Sequence, residues 1–404
     1  MHRNDRAIAR FAMLGHATFH WYELTIPLFV VVWLDAFDVS PAVLGTVVAV
    51  GYALVGVGAL PSGALADAYG SRRLVLLSMA GMSGGFVLVG LAPTVPVLGL
   101  ALVVWGAAAS LYHPAGLSLI TRGSERQGTV LAYHGVAGNV GTAIGPLVAA
   151  LLLTVFDWRL VAGLFVLPTV VGILVAARLD FDERAAVDPG SESVRPDAGD
   201  RLSRVVARTR LLFVGGFLVV FAIAILAGTY YRGLFTFLPD VLAGLPVFEP
   251  VEVAGETFEP SQYVYAGLLL IGAAGQFVGG TVSDRRSPER AIVVAFAALL
   301  AVTALFPFVT SAGLVATIAV CAALGFVVFA EVPIHQALIG EYVPAEIQGL
   351  SFGYTYLGVF GIGAAGASIA GIALTYGGPT LLFAALATLP ATALVLAGVL
   401  LTRS

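Results

Sequence analysis

Along this chain, apolar residues run in long blocks separated by short clusters of Arg, Asp, Glu, Gly and Pro. A bilayer core takes about 20 residues per helix. On that scale the blocks predict membrane-spanning helices at 9–34, 42–64, 73–92, 96–121, 128–155, 159–178, 211–240, 262–283, 290–309, 312–339, 349–375 and 379–402. One stretch breaks the rhythm: 181–209, with Pro189, Gly190, Ser191, Pro196 and mixed charges, has the composition of a flexible linker. It divides the chain into a six-helix bundle at 1–180 and a second at 210–404, so the expected fold is an all-α integral membrane protein with twelve transmembrane helices in two bundles.

Composition removes the soluble alternative. The 404 residues are 59% hydrophobic and 11% charged, against roughly 45–50% and 25% in soluble domains. His16, His20 and Glu23 interrupt the first apolar run, which a cleaved signal peptide would not tolerate, so a retained first span is expected. The single cysteine, Cys321, excludes an internal disulfide and a thiolate zinc site, and neither metal nor cofactor is expected.

All twenty basic residues are arginine. With the N-terminus inside, eighteen of them fall on one side and only Arg159 and Arg232 do not. By the positive-inside rule both termini are cytoplasmic, in a multi-pass plasma-membrane protein. Arg201, Arg204 and Arg208 recur at helical spacing in the linker, suited either to anionic headgroups or to a solvated linker end. Without lysine there is no P-loop to bind ATP, so any transport is secondary. The arginines lack aromatic interleaving, so nucleic acid is not an expected partner.

Two short patterns recur. Gly63-Ala64-Leu65-Ala66-Asp67 after span 2 matches Gly280-Thr281-Val282-Ser283-Asp284 after span 8, at an offset of 217. Glu125-Arg126-Gln127-Gly128 matches Glu346-Ile347-Gln348-Gly349 at an offset of 221. Two matches at nearly one offset argue for duplicated halves. Parallel six-span repeats form one of the transporter architectures, with the substrate site at the midplane between the halves.

Gly63, Asp67, Gly70, Arg72 and Arg73 resemble the loop signature of the major facilitator superfamily, although Ala68 and Ser71 stand where basic residues are usual. Physically, Gly63 lets two helices approach, while Asp67 can cap the next helix and pair with arginines of its half. With Gly280, Asp284 and Arg285 in the second copy, such a cluster can latch the cytoplasmic side; the plainer alternative is a positive-inside turn. Gly138, Gly141, Gly145 and Pro146 in span 5 resemble the glycine-proline motif of the superfamily's drug:proton antiporters, or else serve close helix packing. Tyr112-His113-Pro114-Ala115-Gly116, His134-Gly135-Val136-Ala137-Gly138-Asn139, and His20, Glu23 and Pro27 together resemble the fosmidomycin-resistance branch, whose members export that phosphonate antibiotic and other drugs.

Ionisable residues inside a span are costly and mark functional candidates. His16, His20 and Glu23 share one face of span 1. Glu23 is the expected proton carrier, assisted by His20, His16 and His113, with Glu331 second; a structural polar cluster is the alternative. Arg232, His134, Asn139, His335, Gln336 and Tyr112 are the candidate substrate contacts. Arg232, outward of the centre of a 211–240 span, either snorkels to the outer surface or grips a phosphonate or carboxylate in the cavity.

The expectation is a secondary transporter without cofactor, exporting a drug or small anionic compound in exchange for protons by alternating access. Its partners are the small-molecule substrate, protons and the lipid bilayer, and a monomer is expected. The rivals are a proton-coupled importer of an organic acid or sugar and, more remotely, a polytopic membrane enzyme or receptor.

Overall fold

A computed structural model describes residues 1–187, 207, 209–210, 212–213, 216–253, 255–343 and 348–402. Most of the linker, with Pro189, Arg195, Arg201, Arg204 and Arg208, lies outside the described residues, as do Glu346 and Arg403. Eleven continuous helical stretches are long and apolar enough to cross a bilayer. Spans 1 to 6 are Arg3–Phe37, Pro41–Tyr69, Ser71–Gly90, Val95–Gly123, Gln127–Val155 and Trp158–Arg178. Spans 7 to 10 are Gly216–Ala243, Pro260–Arg285, Pro288–Thr310 and Leu314–Tyr342.

The last stretch, Leu350–Leu401, has 52 residues, far more than the roughly 20 one crossing needs. It breaks at Gly378, whose φ of 62° and ψ of −163° suit glycine alone, and Pro379 follows. Spans 11 and 12 lie on either side of that break, which makes twelve crossings. Predicted and observed bounds agree within a few residues, except that span 1 begins six residues earlier than expected. One element was not expected in an all-α chain: Val251–Val253 and Glu256–Phe258 pair as a small antiparallel ribbon in the acidic loop before span 8.

The chain thus has a terminal face and a far face. Among the described arginines, thirteen of the eighteen assigned to the cytoplasmic side are present and cluster at the terminal ends of spans, whereas Arg159 begins span 6 at the far face. Within the first half, span 1 packs on spans 4 and 5, span 2 on span 4, and span 3 on spans 4 and 6. In the second, span 7 packs on spans 8, 10 and 11, span 8 on span 10, and span 9 on spans 10 and 12. Small residues permit the closest approaches. A Cβ at Gly141 would run into the Ala17 carbonyl, and one at Gly145 into that of Trp21. The span-5 glycines and Pro146, which is buried, therefore serve close packing against span 1.

Three spans break part-way along, two to four residues before a proline. Proline removes the amide that residue i−4 would accept and crowds its carbonyl. Span 1 divides into Arg3–Glu23 and Ile26–Phe37 ahead of Pro27, span 4 into Val95–Ala109 and Tyr112–Gly123 ahead of Pro114, and span 6 into Trp158–Leu164 and Val166–Arg178 ahead of Pro168. In a bilayer the freed carbonyls need new partners. Tyr52 donates to the Glu23 carbonyl at 3.0 Å, Tyr265 to that of Leu24 at 3.2 Å, and Trp21 and Tyr22 to that of Phe165, each at 3.2 Å. Span 11 carries a different irregularity, a π-helical turn over Leu357–Ile362, a feature that recurs at functional sites.

Candidate functional site at the span 1 break

The break at Glu23 anchors a group of buried polar side chains. Helix Arg3–Glu23 presents His16, His20 and Glu23 on one face, and they form a chain. His20 Nδ1 lies 2.6 Å from Glu23 Oε2, its Nε2 lies 3.2 Å from His16 Nε2, and His16 Nδ1 lies 2.8 Å from the His134 carbonyl. The His16 ring stacks on that of His134, with centroids 3.8 Å apart, and meets His113 edge-on at 5.4 Å. A Cβ at Gly138 would strike the His16 ring, so this glycine is what admits the imidazole. Tyr112 donates to the Ala12 carbonyl at 2.6 Å, which fixes the broken span 4 against span 1.

Glu23 is 1% exposed, and its other oxygen accepts a hydrogen bond from Arg232 of span 7. This ion pair joins the two halves. It also decides between the two readings of Arg232. Span 7 runs from Gly216 to Ala243, so Arg232 lies close to its centre and does not snorkel; its side chain is 3% exposed. Glu23, expected to work with His20, is held by that imidazole and by a guanidinium as well. Arg232 lies over the Tyr52 ring at 3.9 Å, with Phe360 of the π turn at 5.2 Å and Tyr231 at 5.5 Å. Buried cation–π contacts of this kind contribute on the order of 2 kcal/mol.

The cluster is reached by solvent at His20, whose side chain is 19% exposed. The hydrogen bonds described between the halves lie at this level or toward the far face: Tyr265 to Leu24, Ala42 to Thr375 at 2.9 Å, and Thr154 with Tyr263 at 3.1 Å. Beyond them, glycines seal the far side, where a Cβ at Gly371 would hit the Pro41 carbonyl and one at Gly45 that of Ala367. The halves thus touch from the level of the histidines, where a Cβ at Gly56 would hit Gly361 and His113 meets Tyr356, out to the far face.

His113 is buried, makes no hydrogen bond, and its ring lies 5.2 Å from that of Tyr356 and 5.9 Å from that of Phe360. His134 Nε2 is buried without a partner. His16, His20 and His113 bring one nitrogen each within 4.8 Å of one another. Three ligands of one metal ion could share that spacing, and His16 and His20 also meet through their Nε2 atoms at 3.2 Å.

Other candidates stand apart. Glu331 and His335 of span 10 are buried and paired at 2.9 Å, as their spacing implies, but the pair lies on a single helix. Gln336 is exposed, and Asn139 is half-buried without a hydrogen bond. In the first loop copy, Asp67 binds Arg122 at 2.6 Å instead of capping the next helix. The cap comes from Glu183, which accepts from the Ser71 and Arg72 amides at 2.8 and 3.3 Å; a carboxylate there suits the helix dipole. Arg72 reaches the Ala177 carbonyl at 2.9 Å, and Arg73 is exposed. Gly63 and Gly280 meet nothing within 4 Å, so neither mediates a close approach. In the second copy, Asp284 and Arg285 are exposed and form no ion pair among the described residues.

The sequence does not single out Tyr52, Tyr356 or Phe360. The available signal was Gly358, Gly361 and Gly363 crowded into one span, where the π turn brings Phe360 onto Arg232.

A twelve-span, two-half α-helical fold with a broken-helix polar site at mid-depth defines a membrane transporter, not an enzyme. The Major Facilitator Superfamily profile matches residues 12–365, and the chain belongs to that superfamily. It is 24% identical over 330 residues to the fosmidomycin resistance protein of Escherichia coli strain K12, covering 80% of this chain and 75% of that one. It is 29% identical over 311 residues to the 4-hydroxybenzoate transporter PcaK of Pseudomonas aeruginosa, covering 67% and 68%. Among solved structures, a D-xylose-proton symporter superposes with a TM-score of 0.74 over 98% of this chain and 97% of that one, at 14% identity; the likeness is one of fold.

Proposed function

We propose that this protein is a proton-coupled transporter of a small anionic compound, working by alternating access with both termini cytoplasmic. In that orientation the far-side contacts close the outer face, and the histidine cluster communicates with the cytoplasm. What carries the proposal is the buried Glu23–Arg232 pair, which ties the two halves together at the broken span. Arg232 is the group suited to grip a carboxylate or phosphonate, yet Glu23 occupies it. An anion can take the guanidinium only when Glu23 is released, and a carboxylate stranded in a dry site is costly unless a proton neutralises it. Proton and anion therefore bind together, which is the linkage of co-transport. The candidate gate at Asp67, Arg122 and Asp284 would join the halves when the cytoplasmic side closes.

Export is the second reading, favoured by the resemblance to the fosmidomycin resistance protein. Exchange of substrate for protons requires that the two exclude each other. A cationic drug, drawn to ionised Glu23 and repelled by the protonated cluster, meets that requirement, whereas an anion does not. The experiment is to follow lumenal pH in proteoliposomes without an imposed gradient while adding fosmidomycin, 4-hydroxybenzoate and a lipophilic cation in turn. Co-transport acidifies the lumen on adding an anion, and Glu23→Gln removes that signal. Alkalinisation on adding any of the three overturns co-transport in favour of exchange.

A further inference from the structure

The chain of hydrogen bonds at the site can be balanced proton by proton. The contact between His16 Nδ1 and the His134 carbonyl needs a proton on His16, since a carbonyl only accepts. The Nε2 atoms of His16 and His20, 3.2 Å apart, need one proton between them. The contact of His20 Nδ1 with Glu23 Oε2 at 2.6 Å needs a third. Two neutral imidazoles and an ionised carboxylate together supply only two, one per imidazole. The second Glu23 oxygen cannot help, because it accepts from Arg232, which keeps its own protons. With both Nδ1 atoms committed as donors and no excess proton, two lone pairs would face each other across 3.2 Å.

We infer that Glu23, His20 and His16 act as a single proton-binding unit that holds one excess proton in this conformation, leaving the site with one net positive charge once Arg232 is included. The inference rests on the reading of the protein as a proton-coupled transporter, and it moves the coupling proton from Glu23 alone to the relay. With the proton on His20, both imidazole N–H groups donate, one to Glu23 and one to His16. Moving it to Glu23 requires no atom to change place, only a proton shift along the 2.6 Å contact.

The surroundings fit this charge. Facing the unit are His113 from span 4 and His134 from span 5, both capable of accepting, and Arg232 from span 7. The tyrosines around it, Tyr52, Tyr112, Tyr231, Tyr265 and Tyr356, belong to five further positions on spans 2, 4, 7, 8 and 11 and are neutral near pH 7. The only carboxylate in direct contact is Glu23 itself, already shared. A net positive, largely desolvated pocket with an unpartnered His134 Nε2 at its wall is suited to a monoanion.

The test is nitrogen NMR of 15N-histidine-labelled full-length protein in lipid bilayers at about pH 7, treated with EDTA, in a His2→Gln background because His2 is exposed. The expected result is one imidazolium, with both ring nitrogens protonated, that disappears in His16→Phe. Only neutral imidazoles in the His2→Gln protein together with an ionised Glu23 side chain, read from its 13C carboxyl shift, or an imidazolium that survives His16→Phe, overturns the inference. The first arm needs no substitution inside the cluster, so a variant that fails to fold does not protect the proposal. An imidazolium without lumenal pH change in proteoliposomes refutes proton coupling and leaves the relay standing. A pH change with neutral imidazoles and an ionised Glu23 does the reverse.

Discussion

The protein contains two buried carboxylate–histidine pairs, one in each half, and they are built differently. Glu331 and His335 lie one turn apart on span 10, touch at 2.9 Å, and are nearly inaccessible. Glu23 and His20 also lie about one turn apart and touch at 2.6 Å, but the contacts continue, through His16 to span 5 in one direction and through Arg232 to span 7 in the other. The first pair stays on one helix, with His335 Nε2 buried and unpartnered among the described residues. The second is a junction at a broken helix between two halves that alternating access must move apart. Residue types and spacing are nearly the same in both, so what distinguishes a transport site from a structural pair is whether its bonds cross the moving interface.

The sharpest way to break this comparison is Arg232→Gln. Removing one partner of a buried ion pair costs about 3–5 kcal/mol because the other charge is stranded. Thermal unfolding of the purified protein should fall accordingly, with transport lost. Arg232→Gln combined with Glu23→Gln should regain much of the stability but none of the transport. Recovery of transport in the double variant would reduce the pair to a structural one, like that of span 10.

The packing beneath the junction comes next. At Gly141 a new Cβ meets backbone, the Ala17 carbonyl, which cannot rotate away. Gly141→Ala should cost about 1–3 kcal/mol, as overpacking does, and displace His16 from His134. At Gly280, where nothing lies within 4 Å, the same change should leave the unfolding temperature unaltered. Equal losses at both positions would show that the loop glycine is packed more tightly than its surroundings imply.

In span 10, Glu331→Gln keeps an acceptor for His335 Nδ1 and exchanges a charge-assisted bond for a neutral one, a difference of about 1 kcal/mol. Substrate uptake and its proton dependence should be unchanged. Loss of coupling there would place Glu331 in the mechanism, as its buried position in a span first suggested.

The contrast between the two pairs explains what the sequence could disclose. Periodicity and charge made the twelve spans legible, since each must bury a long apolar surface and the arginines must stay on one side. Helical spacing likewise put His16, His20 and Glu23 on one face. Spacing along one helix, however, is blind to what comes from another. The pairing of Arg232 with Glu23 joins positions 209 residues apart, and a span read as 211–240 puts Arg232 further outward than Gly216–Ala243 does. Pro27 was visible as a family-like residue, but its consequence, a carbonyl passed to Tyr52, belongs to the folded state. Phe360 reaches the guanidinium only because span 11 widens into a π turn.

The smallest effect is expected at the loop repeat, and it sharpens the comparison by state rather than by place. Asp67 and Arg122 pair at 2.6 Å, but their side chains are 57% and 41% exposed, and exposed pairs contribute about 0–1 kcal/mol. Asp284, the equivalent position in the second half, has no ion pair in this conformation. If the two loops are copies with the same resting role, Asp67→Asn and Asp284→Asn should have equal and negligible effects on unfolding. If instead the first loop is already engaged while the second waits for the cytoplasmic side to close, the two differ in a salt-dependent way. Asp67→Asn should then lower the unfolding temperature slightly at low ionic strength and not at about 1 M salt, where the Debye length is about 3 Å. Asp284→Asn should leave the temperature alone at both and instead slow substrate counterflow, because its partner is met only during the cycle. Measuring both variants at both salt concentrations separates a latch that is half formed from a pair of ordinary charged turns.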